Sequence, residues 1–166
     1  EKEQKLAAQL KDREAQLAEA ARAVIAIRNL NVSAVEMVDK RSLASVNAGG
    51  IEGLTALLIQ TEAENQHELA ENVSAITAAL KEFDVYGNIS FTNDPDEYGK
   101  YWAIRSGIFP TVGGMRRPGT TCLIEDVAFH VEDLAEAVTD LSDLLDRHGY
   151  DDSCIYGHAL EGNFHF

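Results

Sequence analysis

Two histidines seven residues apart are the strongest chemical signal in the sequence. His158 and His165 lie in Gly157-His158-Ala159-Leu160-Glu161-Gly162-Asn163-Phe164-His165-Phe166, a stretch that also holds a carboxylate, an amide and two glycines. Neutral imidazole is a common metal ligand and a proton carrier near neutral pH. On an unbroken strand, an odd separation sends the two side chains to opposite faces. On a helix they share a face but stand about 10.5 Å apart along the axis. A shared site therefore needs a break between them. Glu161-Gly162-Asn163 can supply one, because Gly and Asn accept positive φ. The spacing predicts strand, bend, strand, with both imidazoles turned to one ligand. A plain hairpin with two surface histidines competes with it, since a metal site normally has three or four ligands.

The apolar run Ser153-Cys154-Ile155-Tyr156 reads as the strand that leads into this stretch. Further strands are predicted over 32–38, 54–60, 85–91 and 120–129. Glu125 and Asp126 interrupt the last of these, and a carboxylate in a core strand is costly unless paired. One of the two is therefore expected to face a polar site or a positive partner. Helical stripes are predicted over 1–29, 65–83, 97–108 and 131–148. In the second, Leu69, Val73, Ile76, Leu80 and Phe83 recur at helical spacing. In the last, Glu132 and Asp133 favour the start, and Gly149 marks the stop. Asn47-Ala48-Gly49-Gly50 reads as a turn, and 110–119 as a loop with Gly113-Gly114 and Arg116-Arg117. That arginine pair could hold an anionic substrate or a flavin phosphate, or be a solvated basic turn. His67 reads as a surface residue at a helix start. Arg105, among Tyr98, Tyr101 and Trp102, could stack its planar cation on rings, but residue type alone favours a surface arginine whose stem covers apolar area.

The pattern of strands and helices admits a parallel sheet or an antiparallel α+β sandwich. At 166 residues the chain suits one domain with a real core. Residues 1–30 are read as a solvated leading helix or linker from an upstream domain, and 31–166 as a truncated α+β domain. The net charge of -14, from 14 basic and 28 acidic residues, argues against nucleic acid or an anionic membrane as partner. No apolar run is long enough to span a bilayer. Cys122 and Cys154 sit in separate apolar runs, which suggests buried reduced thiols and a cytoplasmic setting. The missing initiator Met and the stop within an apolar run suggest a piece of a longer chain.

The terminal stretch resembles the Gly-His-x-x-(Asp/Glu)-Gly-Asn-(Leu/Phe)-His motif of FAD-linked D-2-hydroxy acid dehydrogenases of the vanillyl-alcohol-oxidase superfamily. These include D-lactate and D-2-hydroxyglutarate dehydrogenases and a glycolate oxidase subunit. Ala159-Leu160-Glu161 looks most like large bacterial members that fuse flavin and iron–sulfur parts. Tyr101-Trp102-Ala103-Ile104-Arg105 is similar to the family's Leu-Trp-x-(Leu/Ile)-Arg. Glu125 to Phe129 is similar to its Glu-Asp-Val-Ala-(Phe/Val)-Pro, with a departure at His130, where the family has Pro.

The resemblance implies a ferredoxin-like antiparallel sheet with helices on one face, the substrate-side cap of such an enzyme. It implies His158 and His165 as ligands of a divalent metal such as zinc, and Arg105 and Asn163 as substrate contacts. It implies FAD held by an upstream domain, a catalytic base and third metal ligand downstream, and iron–sulfur clusters further on. The implied reaction is oxidation of a D-2-hydroxy acid to the 2-oxo acid by hydride transfer to flavin. The isolated 166-residue chain is then expected to be inactive. Members that bind two-carboxylate substrates place a lysine near the position of Ile124. The connection after Gly50 is shorter than the family's. Location in the cytoplasm, or at the inner membrane through an electron acceptor, follows from the same likeness, and homo-oligomerisation is left open. A non-catalytic binding or dimerisation module and a metal-dependent hydrolase are the competing classes.

Overall fold

The computed structural model describes residues 2–46 and 53–166, with side chains of the first helix from Asp12 on. The turn expected at Asn47–Gly50 and its short connection lie outside those residues. The elements in order are α1 (Lys2–Ile27), β1 (Ala34–Val38), α2 (Lys40–Ser45), β2 (Ala56–Gln60), α3 (Gln66–Ala79), α4 (Pro95–Met115), β3 (Asp126–Ala128), α5 (Leu134–Arg147), β4 (Tyr156–His158) and β5 (Asn163–His165). The strands form one sheet in the order β2-β1-β4-β5-β3. Every neighbouring pair is antiparallel. The parallel alternative is therefore excluded, and the architecture is α+β.

Alternation along β1 divides the core in two. Val35 and Met37 face one side, where Leu17, Val24 and Ile27 of α1, Ile76 of α3 and Val138 of α5 are fully buried. Val38 faces the other side with Leu43 of α2, Ile108 of α4 and Tyr156 of β4. The resemblance implies helices on one face. α1, α3 and α5 occupy that face, and α4 with α2 lies on the opposite one. That second layer is what builds the site.

Several elements differ from the sequence pattern. The charged leading helix, expected to be solvated, belongs to the core from Arg13 on. Leu17, Ala21, Val24 and Ile27 recur at helical spacing and are all 0% exposed. They pack chiefly against α5. Arg13 is itself buried because its guanidinium meets the carboxylate of Asp39 at 2.7 Å. No strand forms over 85–91. Gly87 turns the chain at a φ of +75°, and Ile89 and Phe91 pack onto the main core without a strand partner. Their alternation records burial, not pairing.

The helix expected to end at Ile108 runs on through Pro110 to Met115. Ile104, Ile108 and Val112 keep a four-residue spacing across the proline, and all three pack in the second core. That packing offsets the hydrogen bond and the space that an internal proline costs. The strand expected over 120–129 shrinks to Asp126–Ala128, matching the three residues of β5 that pair with it. Leu123 is 72% exposed.

Both cysteines are free, with Cys154 buried and Cys122 half-buried. Burial pushes the Cys154 thiol up to about 11. Among the described residues no helix is long and apolar enough to cross a membrane.

Candidate functional site

The chain after Tyr156 bends as its glycines require. β4 ends at His158, and a 3-10 turn at Ala159–Glu161 follows. Gly162 then sits at a φ of +73° and reverses the direction. A Cβ there would stand 2.1 Å from the Phe129 carbonyl oxygen, so a larger residue is excluded twice over. Gly157 serves a different purpose. A Cβ on it would lie 2.4 Å from the Asn163 carbonyl oxygen and 2.8 Å from Phe164 Cα. Only glycine lets β5 come this close to β4.

The reversal solves the odd spacing of the histidines. Tyr156 pairs with His165 across β4 and β5, and Glu36 pairs with His158 across β1 and β4. Antiparallel partners share a face. Glu36, Tyr156, His158, Asn163, His165 and Asp126 therefore all project toward the α4 side, while Phe164 enters the main core. The two imidazoles meet edge to face, with ring centroids 5.6 Å apart. The expected bend is present, and it brings His158 and His165 together.

Glu36 organises the cluster, and it was not singled out from the sequence. Its side chain is 3% exposed. Arg105 Nε donates to Oε2 at 2.6 Å, and Oε1 meets His158 Nδ1 at 2.5 Å. A buried carboxylate needs such partners, because an unpaired charge in the interior is severely penalised. A carboxylate inside the apolar strand Ala34-Val35-Glu36-Met37-Val38 was the signal available.

Arg105 comes from α4, one turn before Ile108, and is 14% exposed. It is no surface arginine. Its guanidinium carbon lies 4.7 Å from the centroid of the Tyr156 ring, a cation–π contact. Glu36 and Tyr156 thus fix the guanidinium from two sides. Among the described residues, its terminal nitrogens have no hydrogen-bond partner. Burial raises the Tyr156 hydroxyl above its usual range, and the Arg105 charge works against that. Burial also holds the His165 imidazole below its usual range, with Arg105 and His158 acting the same way and Asp126 against them.

Asn163 Nδ2 donates to Asp126 Oδ1 at 2.5 Å, and Asp126 Oδ1 is 3.7 Å from His165 Nδ1. Asp126 is thus the carboxylate that faces the polar site, while Glu125 pairs its backbone with Phe166. Asn163 is at the rim of the cluster, bonded across to β3. The arginine pair is elsewhere. Arg116 closes the last turn of α4 through the carbonyls of Gly113 and Thr120, which leaves an anion-binding role unsupported for it. His67 lies exposed beside Glu71, and His130 precedes the 3-10 turn before α5 without a side-chain bond to it.

The donor set fits a cation only in part. Two imidazoles stand together, but among the described residues no three His, Cys, Asp or Glu side chains converge on one metal position. A third ligand to His158 and His165 would come from outside those residues. The two separated cysteines offer nothing for an iron–sulfur cluster, which takes four thiolates.

The fold and the cluster define an α+β domain that displays a fixed guanidinium beside paired imidazoles on one sheet face. Residues 2–166 match the family described as FAD linked oxidases, C-terminal domain. The chain belongs to that family and so to a group of flavin-linked oxidoreductases. No curated protein matches it significantly.

Proposed function

We propose that this chain is the substrate-side domain of an FAD-dependent dehydrogenase that oxidises a D-2-hydroxy acid to the 2-oxo acid. One observation carries the reading. Arg105 is clamped by Glu36 and Tyr156, with its terminal nitrogens unclaimed among the described residues, next to His158 and His165. A planar fork of that kind suits a carboxylate. A 2-hydroxy acid has its hydroxyl one carbon away from that carboxylate, which is where a neighbouring imidazole pair would be met. Oxidation removes a hydroxyl proton and a hydride from the carbon between them.

FAD, when bound, supplies the acceptor for the hydride. A divalent cation on the two imidazoles would lower the pKa of the hydroxyl. His158 and His165 would be the residues of this chain that hold it. This chain's own contribution is to bind and orient. Arg105 takes the carboxylate, and Asn163 lies at the rim of the cluster on β5. His158 turns Nδ1 to Glu36 and leaves Nε2 toward the substrate. Burial favours the neutral form of His165.

Arg105→Lys tests the assignment in the flavin-loaded protein. Lysine keeps the charge but loses the fork. One charge-assisted hydrogen bond is worth about 1.5–3 kcal/mol, so KM for 2-hydroxy acids should rise roughly 10- to 150-fold. A KM within twofold of the unsubstituted protein for every 2-hydroxy acid tried would remove the basis for the proposal.

A further inference from the structure

We infer that Glu36 is a positioning residue that sets two things at once: the plane of the Arg105 fork and the tautomer of His158. Its place in catalysis rests on the function proposed above. The geometry stands without it. Each carboxylate oxygen serves one partner, Oε2 the Arg105 Nε at 2.6 Å and Oε1 the His158 Nδ1 at 2.5 Å. Both oxygens are shielded, since the side chain is 3% exposed. The backbone pairing of Glu36 with His158 puts the two side chains on the same face at the same level of the sheet. That pairing leaves the contact little freedom.

A carboxylate can only accept, and Arg Nε can only donate. Imidazole is the one member of the trio that can do either. With Glu36 as acceptor, the proton of neutral His158 must sit on Nδ1. Nε2 is then the nitrogen with a free lone pair. It has no protein partner among the described residues, and the side chain is 51% exposed. An exposed imidazole with no such neighbour would divide its proton between the two nitrogens. Glu36 thus makes His158 a defined acceptor on its exposed side, for a hydroxyl proton or a cation. The same carboxylate holds the fork at Nε, so the anion clamp and the imidazole are set against each other by a single residue.

Glu36→Gln keeps the shape and inverts the logic. The amide oxygen must face Arg105, because Nε offers only a proton. The amide nitrogen is then left facing His158. Nδ1 has to become the acceptor, and the proton moves to Nε2. The experiment is long-range proton–nitrogen correlation on the nitrogen-15-labelled chain at about pH 8, where imidazole is neutral. His158 should carry its proton on Nδ1 in the unsubstituted chain and predominantly on Nε2 in the Gln variant. A purely structural role for Glu36 would not invert the tautomer while the methyl spectrum stays native. Should the variant fail to fold, the unsubstituted chain decides alone. A proton on Nε2 there, or an unchanged tautomer in a folded Gln variant, overturns the inference. The readout needs no substrate, flavin or metal, so it can fail while the functional reading stands, and the reverse.

Discussion

Removing Asp39 should cost this protein more than removing the arginine it pairs with, and the structure gives the amounts. Asp39 is 0% exposed and follows directly on β1. One oxygen takes Arg13 Nη2 at 2.7 Å and Nε at 3.1 Å. The other takes the Ser42 backbone N–H at 2.8 Å and hydroxyl at 2.6 Å, which caps α2. Asp39→Ala therefore deletes a helix cap, worth about 1 kcal/mol. It also strands the guanidinium of Arg13, which is 1% exposed. Breaking a buried pair this way costs about 3–5 kcal/mol. Arg13 keeps Asp146 at 3.6 Å and the Ser153 carbonyl at 3.2 Å, so the lower end applies, and the sum is about 4 kcal/mol.

The opposite substitution is milder. In Arg13→Met, Asp39 retains two short hydrogen bonds and the positive end of α2. The double variant should then recover about 2 kcal/mol or more over Asp39→Ala, because no charge is left stranded. Urea denaturation followed by circular dichroism measures all three. The reasoning is refuted if Asp39→Ala costs under about 1.5 kcal/mol, or if adding Arg13→Met to it restores nothing. The pair matters for the site because it ties α1 to the end of β1, the strand whose register sets Glu36 opposite His158.

Gly157→Ala should destabilise by about 3 kcal/mol or more, the upper end of overpacking costs, because backbone atoms of β5 cannot move aside as a side chain can. A thermal midpoint within 2 °C or so of the unsubstituted chain would contradict the close approach. His165 should take up its proton only below the ordinary imidazole range, since burial disfavours the charged form. Lowering the pH through 6.5 should therefore leave it mostly neutral, and a proton NMR titration midpoint at or above that value would show the burial argument to be wrong.

What could be read in the sequence depended on whether the information was local. The bend between His158 and His165 was legible because an odd spacing and the glycine at 162 leave few ways to make a shared site. The stripes of α3 and α5 were legible for the same reason, since 3.6-residue periodicity needs no knowledge of a partner. Strand pairing is non-local, and there the pattern misled. Val85–Phe91 alternates as a strand would, yet nothing in the alternation says whether a partner lies beside it. Pro110 argued for a helix end, and only the second core, built from Ile104, Ile108 and Val112, explains why α4 continues.

Arg105 is the sharpest case. Type and neighbours favour a surface arginine, with stacking on a ring as the alternative, and only a likeness to known enzymes suggests a ligand role. Its burial depends on Glu36, 69 residues earlier in the chain. Glu36 in turn carried its own signal, a carboxylate in an apolar strand, which demands a cation somewhere. Taken together, an unexplained buried acid and an arginine among aromatics already constrain each other. Each makes the other's burial affordable, and the strand register is what allows them to meet.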